Sequence, residues 1–534
     1  MMVCNWGSTI QPGMGGTGAA GAAPLDEFIM SQTVDRRAFL GSAAALSLSA
    51  ANYAGVWGAN ERVGIAFVGC GGRAQAHMDL VRRLQAAGEA VAPVAVCDVW
   101  DGHEEEYTSV FGGQVSRRRY AQGLYPAARK CGLDPADRRH VTKDYRQLLE
   151  LPEVDVVCIA TPDHWHARMT LDALAAGKDV FVERPLGRTA AQAVAVLHAW
   201  QQSQRVVVVG VQNLADPLWV QAWDYLRSGQ LGHVVQGQTG AFRNDIRGQW
   251  RFYRLVEQMH PRSIDWDMFL GHRFEVAGQP IGPSPRQCPF DRAVFAQWRC
   301  YQQFSGGPFH ELLYAPVCRL LAAMGVRFPA RVSAAGGLYL EYDGRTVPDV
   351  VTVAADFDEG CQLLATATTL SNYPLEELIR CRLGTIKFVR GGFQVYRDDP
   401  SRGSVYPPRL EGMLTPHYQQ AVASPRHETE ALWRHFLACV RQRRQSTYCP
   451  PDLAAAASVL LALAEQSLEQ GLALGWDAQQ QRAVSADAHW LARWRQRSHH
   501  GGKPAHILGW SGAEQGCTLQ PPDYQKLANR PETG

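Results

Sequence analysis

From Glu61 to about Val211, short apolar runs alternate with helix-length amphipathic segments. Val63–Val68, Val94–Cys97, Val154–Ala160, Val180–Val182 and Val206–Val209 are almost unbroken apolar runs, as expected of strands buried on both faces. Between them, Ala74–Ala87, His166–Ala176 and Ala190–Gln202 repeat apolar positions at helical spacing. Strand, helix, strand in succession predicts a parallel sheet with crossover helices, the rhythm of a doubly wound nucleotide-binding domain. Tyr107–Asp137 breaks that rhythm. It carries the run Arg117-Arg118-Arg119 and little periodicity, so it is expected to be an insertion, a solvated loop with a short helix.

Beyond Gln212 the runs lengthen and alternate polar with apolar, as in Arg331–Tyr342, Val350–Phe357, Gln362–Leu370 and Ile379–Arg390. Alternation at period two predicts antiparallel strands with one exposed face, hence a second, α+β domain over residues 212–484. His427–Val440 and Asp452–Leu472 read as amphipathic helices that pack back onto a sheet or onto the first domain. Residues 485–534 show no pattern. Residues 1–60 are Gly/Ala-rich, and Arg36-Arg37-Ala38-Phe39-Leu40 runs into Ala43–Ala51, the form of a twin-arginine export leader. A basic helix start is the plainer alternative. The leader form predicts a protein exported already folded and resident in the periplasm.

Composition narrows the partners. With 46% hydrophobic and 19% charged residues the chain is neither disordered nor fibrous. The 53 basic and 51 acidic residues leave a net charge of +2, too little to gather nucleic acid or anionic lipid. No run approaches the roughly 18 to 20 apolar residues of a membrane span. The 13 cysteines include no C-x-x-C pair, and no His/Cys/carboxylate spacing suggests a metal site. Only six of the basic residues are lysine.

The chemistry begins at Gly69-Cys70-Gly71-Gly72-Arg73-Ala74, which follows a strand and opens a helix and so matches G-x-G-x-x-G/A. Small residues let the backbone approach a diphosphate, and the helix start presents N–H donors. Asp98 ends the next strand, where a carboxylate accepts hydrogen bonds from a ribose diol; with no arginine beside it, NAD is favoured over NADP. A purely structural glycine turn is the alternative.

Several further motifs, taken in order, carry a family resemblance: Ala160-Thr161-Pro162-Asp163-His164-Trp165-His166, Gly177–Leu186 with Glu183-Arg184-Pro185, Val209-Gly210-Val211-Gln212, Trp266–Gly271 and Ser305-Gly306-Gly307-Pro308. From about Glu61 to Val484 the chain resembles the Gfo/Idh/MocA oxidoreductases. The resemblance implies a Rossmann domain over residues 61–211 and a second domain whose open, largely antiparallel sheet often forms an oligomer interface, so a homo-oligomer is expected. It also implies a sugar, polyol or glycoside as substrate, with hydride transfer to or from nicotinamide. Carried over, Gly69, Gly71, Gly72 and Arg73 would meet the diphosphate and Asp98 the ribose. Thr161, Pro162 and His166 would border the nicotinamide, and Glu183 and Pro185 would frame the loop between cofactor and substrate. The plainer readings stand beside these: Pro162 and Pro185 as strand stops, His164 or His166 as a helix cap.

The catalytic pattern departs from the family. Removing a hydride from a carbinol carbon requires an acceptor for the hydroxyl proton. The family's lysine is here Arg184, whose guanidinium can orient a hydroxyl or stabilise an alkoxide but not take a proton. In the segment after Gly306-Gly307, the family's Asp, Gly and His are replaced by Glu311, Leu313 and Ala315. His310, Glu311 and, less directly, Tyr314 are the remaining acid/base candidates. Two classes of function follow: an exported NAD-dependent oxidoreductase with a rearranged base, or a descendant without turnover that binds nucleotide or carbohydrate. Free nicotinamide is scarce outside the cytoplasm, so the first class requires a retained cofactor.

Overall fold

The computed structural model describes residues 62–111, 114–398 and 416–486. The twin-arginine segment and the tail from residue 487 lie outside them. The first domain contains β1 (Val63–Val68), α1 (Gly72–Ala86), β2 (Val91–Cys97), β3 (His103–Phe111), β4 (Gln114–Gln122), α2 (Leu124–Cys131), β5 (Val141–Thr142), α3 (Tyr145–Leu149), β6 (Val156–Ile159), α4 (Asp163–Ala175), β7 (Asp179–Glu183), α5 (Ala190–Gln202) and β8 (Val207–Gly210). Its six-stranded sheet runs β5-β2-β1-β6-β7-β8, with every pairing parallel. The chain leaves β1 toward β2 and returns later to β6 on the other side. The connections leaving the carboxyl ends of β1 and β6 therefore run to opposite sides, and a crevice opens where such sheets bind ligands.

The expectation for residues 107–137 is corrected. β3 and β4 form a two-stranded antiparallel hairpin, joined in register from His103↔Gln122 to Phe111↔Gln114, before α2. Cross-strand pairs, with Glu104 bonded to Arg119 at 2.9 Å, supply order that apolar periodicity does not reveal.

The second domain opens with α6 (Leu218–Arg227) and β9 (Val234–Phe242), followed by α7 (Trp266–Leu270), the short pair β10 (Glu275–Val276) and β11 (Gln279–Pro280), α8 (Arg292–Ala296) and α9 (Tyr314–Met324). Then come β12 (Arg331–Gly337), β13 (Val350–Asp356), β14 (Gln362–Thr368), β15 (Leu378–Cys381), β16 (Gly384–Val389), β17 (Gly392–Arg397), β18 (Tyr418–Ala421), α10 (Glu428–Gln442), α11 (Pro451–Gln470), β19 (Leu474–Asp477) and β20 (Arg482–Ser485). The ten-stranded sheet runs β18-β17-β16-β15-β9-β14-β13-β12-β19-β20 and is antiparallel except where β9 meets β14. Burial alternates along β13 and β14, one face carrying the core and the other facing outward. Helix α11, alanine-rich and buried along most of its length, packs between this sheet and α5. Helix α10 belongs in space to the first domain, for Trp433 stacks on Phe181 of β7 with ring centroids 4.4 Å apart. Among the described residues no helix is long and apolar enough to cross a membrane.

Candidate functional site

The crevice is built largely from backbone at one end. Gly69 turns the chain out of β1 at φ +82°, and a Cβ there would stand 2.8 Å from both the Thr161 backbone N and its Cγ2, so only glycine fits. Gly71 has nothing within 4 Å of where its Cβ would be: the space beside it is open. Helix α1 starts at Gly72 with no side-chain cap and no acidic residue in its first turn. Helix α5, by contrast, is capped by the Thr189 side chain. The first N–H groups and the positive dipole end of α1 are thus available to an anion.

Asp98 lies under this turn. Its Oδ2 accepts from the Cys70 N–H at 2.6 Å and its Oδ1 from the Trp100 N–H at 2.8 Å. An ionised carboxyl offers about four acceptor positions, so lone pairs remain for hydroxyl donors. Burial raises the carboxyl to about 6 against the pull of those two N–H groups. Gly69, Gly71, Gly72, Arg73, Asp98, Thr161 and Pro162 all line one cavity of about 1080 Å³ that is partly open to solvent. The buried Thr161 Oγ1 has no partner among the described residues. An uncapped helix start, an open glycine edge and an acceptor with spare lone pairs fit a dinucleotide.

Two segments cover the crevice. Gln122, from the hairpin, brings its Nε2 to 3.3 Å from a Cβ position on Gly72. Opposite, Arg254 pairs with Glu105 at 2.7 Å and lies over the Tyr107 ring at 4.1 Å. The second domain is tied to the first by the Asp265 N–H to the Val99 carbonyl (2.8 Å) and by Trp100 Nε1–H to the Gln258 carbonyl (3.0 Å).

Glu183 points into the protein beneath the glycine turn. Its Oε1 accepts from Arg73 Nε (2.8 Å), His77 Nε2 (2.8 Å) and Gln212 Nε2 (2.9 Å). Trp433 Nε1–H donates to His77 Nδ1 at 2.9 Å. An indole only donates, so Nδ1 carries no proton and Nε2 does. Burial, which also lowers His77, fits that neutral tautomer. Burial alone would raise the Glu183 carboxyl; Arg73 and His77, with Arg184 adding to them, hold it well below the usual carboxylate range. Glu183 thereby fixes Arg73 and the first turn of α1. His77 and Trp433 were not singled out from sequence, and Gln212 stood only at the end of a quoted motif, with no role given to it. His166 bridges two loops, with Nδ1 2.7 Å from the Pro185 carbonyl and Nε2 2.9 Å from that of Thr161. Burial lowers His166, against the pull of both carbonyls.

The three catalytic candidates are not brought together at the cavity. Arg184 is half-buried, outside the cavity lining, and has no hydrogen-bond or ion-pair partner among the described residues. His310 sits in a single π-helical turn (Pro308–Leu312), packed so tightly on Gly306 that a Cβ there would meet its Nδ1 at 2.6 Å. It is wholly buried, neither ring nitrogen has a partner among the described residues, and burial with Arg188 drives it far below the ordinary histidine range. Glu311 accepts from Arg299 Nε at 2.8 Å. The Tyr314 hydroxyl is occupied: it donates to the Ala454 carbonyl (2.7 Å) and accepts from the Leu186 N–H (3.1 Å). Sequence reasoning missed Arg299, which lines the cavity, and passed over Asp163, buried directly after Pro162. Asp163 lay within a quoted motif, but no spacing rule marks Arg299. No group of three or more His, Cys, Asp or Glu side chains among the described residues could hold a metal ion.

Residues 63–211 match the family model GFO_IDH_MocA, described as an oxidoreductase family with an NAD-binding Rossmann fold. The chain is 27% identical over 258 residues to an alpha-N-acetylgalactosaminidase of Shewanella oneidensis, an alignment covering 44% of this chain and 50% of that one. It spans about half the length of the first curated relatives it matches. Among solved structures, an oxidoreductase domain protein from Kribbella flavida superposes with a TM-score of 0.52 at 18% identity, covering 77% of this chain and 98% of that one. A levoglucosan dehydrogenase complexed with NADH superposes with a TM-score of 0.50 at 18% identity, covering 80% and 99%. These likenesses establish the fold.

Proposed function

The chain belongs, through residues 63–211, to the Gfo/Idh/MocA oxidoreductase family, and on that premise we propose that it holds NAD in this crevice and oxidises or reduces a sugar, polyol or glycoside. The observation that carries the reading is the convergence of the Gly69–Gly72 turn, the uncapped start of α1 and Asp98 on one cavity. The α1 N–H groups and Arg73 bind the diphosphate, Asp98 accepts from the adenosine ribose, and Thr161 and Pro162 wall the nicotinamide side. NAD, when bound, supplies a hydride acceptor, or a donor in its reduced form. The substrate loses one hydride from a carbinol carbon and one proton from its hydroxyl, or gains both in the reverse direction. Arg184 lies outside the cavity lining, and its guanidinium could not take the proton.

A specific observation supports the second reading, binding without turnover. Among the described residues that line the cavity there is no histidine, and Lys143 is engaged by Asp101 at 2.9 Å beside Asp98. The test is to load the protein with NAD, add a panel of sugars and keto-sugars, and follow nicotinamide absorbance. A change in redox state supports the oxidoreductase. Bound cofactor that never changes state with any of them establishes the binding protein. We further propose export by the twin-arginine route with the cofactor aboard, on the Arg36-Arg37 leader form, and a homo-oligomer.

A further inference from the structure

The glycine end of the cavity is matched to a dinucleotide; the end beside Pro162 is lined by Arg299. This guanidinium is clamped on one side only. Its Nε donates to Glu311 at 2.8 Å, and its plane lies against the Trp298 ring at 4.1 Å with Tyr253 at 5.4 Å. Among the described residues neither Nη has an acceptor, and neither is sealed from solvent, the side chain being 23% exposed. A fork whose stem is fixed and whose two outer N–H groups are unused is arranged for a planar, two-oxygen acceptor.

The other cavity cations are committed elsewhere. Lys143 is held by Asp101 and Arg254 by Glu105 beneath the hairpin, and Arg73, held through its Nε by Glu183, stands at the glycine turn where a diphosphate would lie. Behind Arg299 lies Asp163, buried, its Oδ2 without a partner among the described residues. Burial and the neighbouring Glu311 push the Asp163 carboxyl well above the usual carboxylate range, against the pull of Arg299 and Arg188.

We propose that Arg299 binds the carboxylate of an acidic sugar, so that the substrate class is a hexuronate or its glycoside rather than a neutral hexose. This rests on the reading of the crevice as an NAD-dependent sugar site. A phosphate also accepts a guanidinium fork, but a phosphate dianion facing this one guanidinium would keep half its charge uncompensated; a neutral diol would use the fork without its charge.

The test measures binding of glucuronate, galacturonate, glucose, N-acetylglucosamine and glucose 6-phosphate to NAD-loaded protein by calorimetry, for the wild type and for Arg299→Gln and Arg299→Lys. The expected result is that a uronate binds about tenfold or more tighter than glucose, that Arg299→Gln abolishes the preference, and that Arg299→Lys keeps only part of it. NAD affinity of each variant, measured separately, reports the fold and the cofactor site. Intact NAD binding with no uronate preference, with equal preference in Arg299→Gln, or with glucose 6-phosphate favoured, overturns the carboxylate assignment alone. Loss of NAD binding in the wild type overturns the underlying reading instead.

Discussion

At the glycine end of the crevice the walls are main chain: a turn that only glycine can make at Gly69, free N–H groups of α1, and a carboxylate at Asp98 clamped by two backbone donors. At the Arg299 end they are side chains drawn from distant segments, with Glu311, Trp298, Tyr253 and Asp163 around one guanidinium. The first end depends on backbone geometry that tolerates few sequences. The second depends on tertiary packing that many sequences could rearrange. Cofactor binding should therefore be brittle to small changes at the turn and indifferent to changes around Arg299, and substrate choice the reverse.

The sharpest way to break this contrast is Gly71→Val. Nothing of the protein lies within 4 Å of the new Cβ, so the fold should stand while the side chain enters the ligand's space. We expect unchanged thermal unfolding and an NAD affinity lower by about two orders of magnitude, ~2.7 kcal/mol, in calorimetric titration. Gly69→Val should instead fail to fold, because its backbone is at φ +82° and its neighbours are already in contact.

The next effect is one of pH. Asp98 has a raised pKa of about 6 in the free protein. Its ionisation therefore opposes folding: the cost is absent below its ordinary carboxylate pKa, grows as pH rises toward 6 and is constant above. Ribose hydroxyls need the ionised form, so NAD affinity runs the other way and should fall about tenfold between pH 7 and pH 5. Asp98→Asn should bind more weakly than wild type at pH 7 and lose that dependence.

How far the sequence was legible follows the same division. The G-C-G-G turn and Asp98 were readable because one backbone conformation and one hydrogen-bonding task each admit very few residue types. Five of the six parallel strands were readable because burial on both faces forces continuous apolar runs; β5, two residues long, leaves no such run. The β3–β4 hairpin was not. Apart from the buried Tyr120, the described side chains of its strands are exposed or half-buried, and the consecutive Glu104–Glu106 and Arg117–Arg119 runs erase the period-two signal while Glu104 and Arg119 pair across the ladder. Glu183 was readable as part of a motif, but its task was not. The histidine, arginine and glutamine that seize its carboxylate come from α1 and from the segment after β8, and the tryptophan behind them from α10. Arg299 left no mark because its partner Glu311 is found only once a π-helical turn sets its direction.

Two smaller effects sharpen the picture. Glu311→Gln removes the charged partner of Arg299, whose side chain is 23% exposed against 9% for Glu311. After allowance for that exposure the loss should be about 2 kcal/mol, seen as a lower denaturation midpoint with NAD affinity unchanged. Trp433→Phe keeps an aromatic ring on Phe181 but removes the donor to His77 Nδ1. We expect a cost of about 1 kcal/mol and a slight weakening of NAD binding, because the strut under Arg73 loosens.

The account rests on a dinucleotide in the crevice between β1 and β6, and quantifying NAD(H) tests that directly. Freshly purified protein would be denatured, the released small molecules assayed, and the stripped protein titrated with NAD. The account predicts one dinucleotide per chain, bound or rebound, and its loss in Gly71→Val with the fold intact. A folded wild-type protein that neither carries nor takes up the dinucleotide would contradict it.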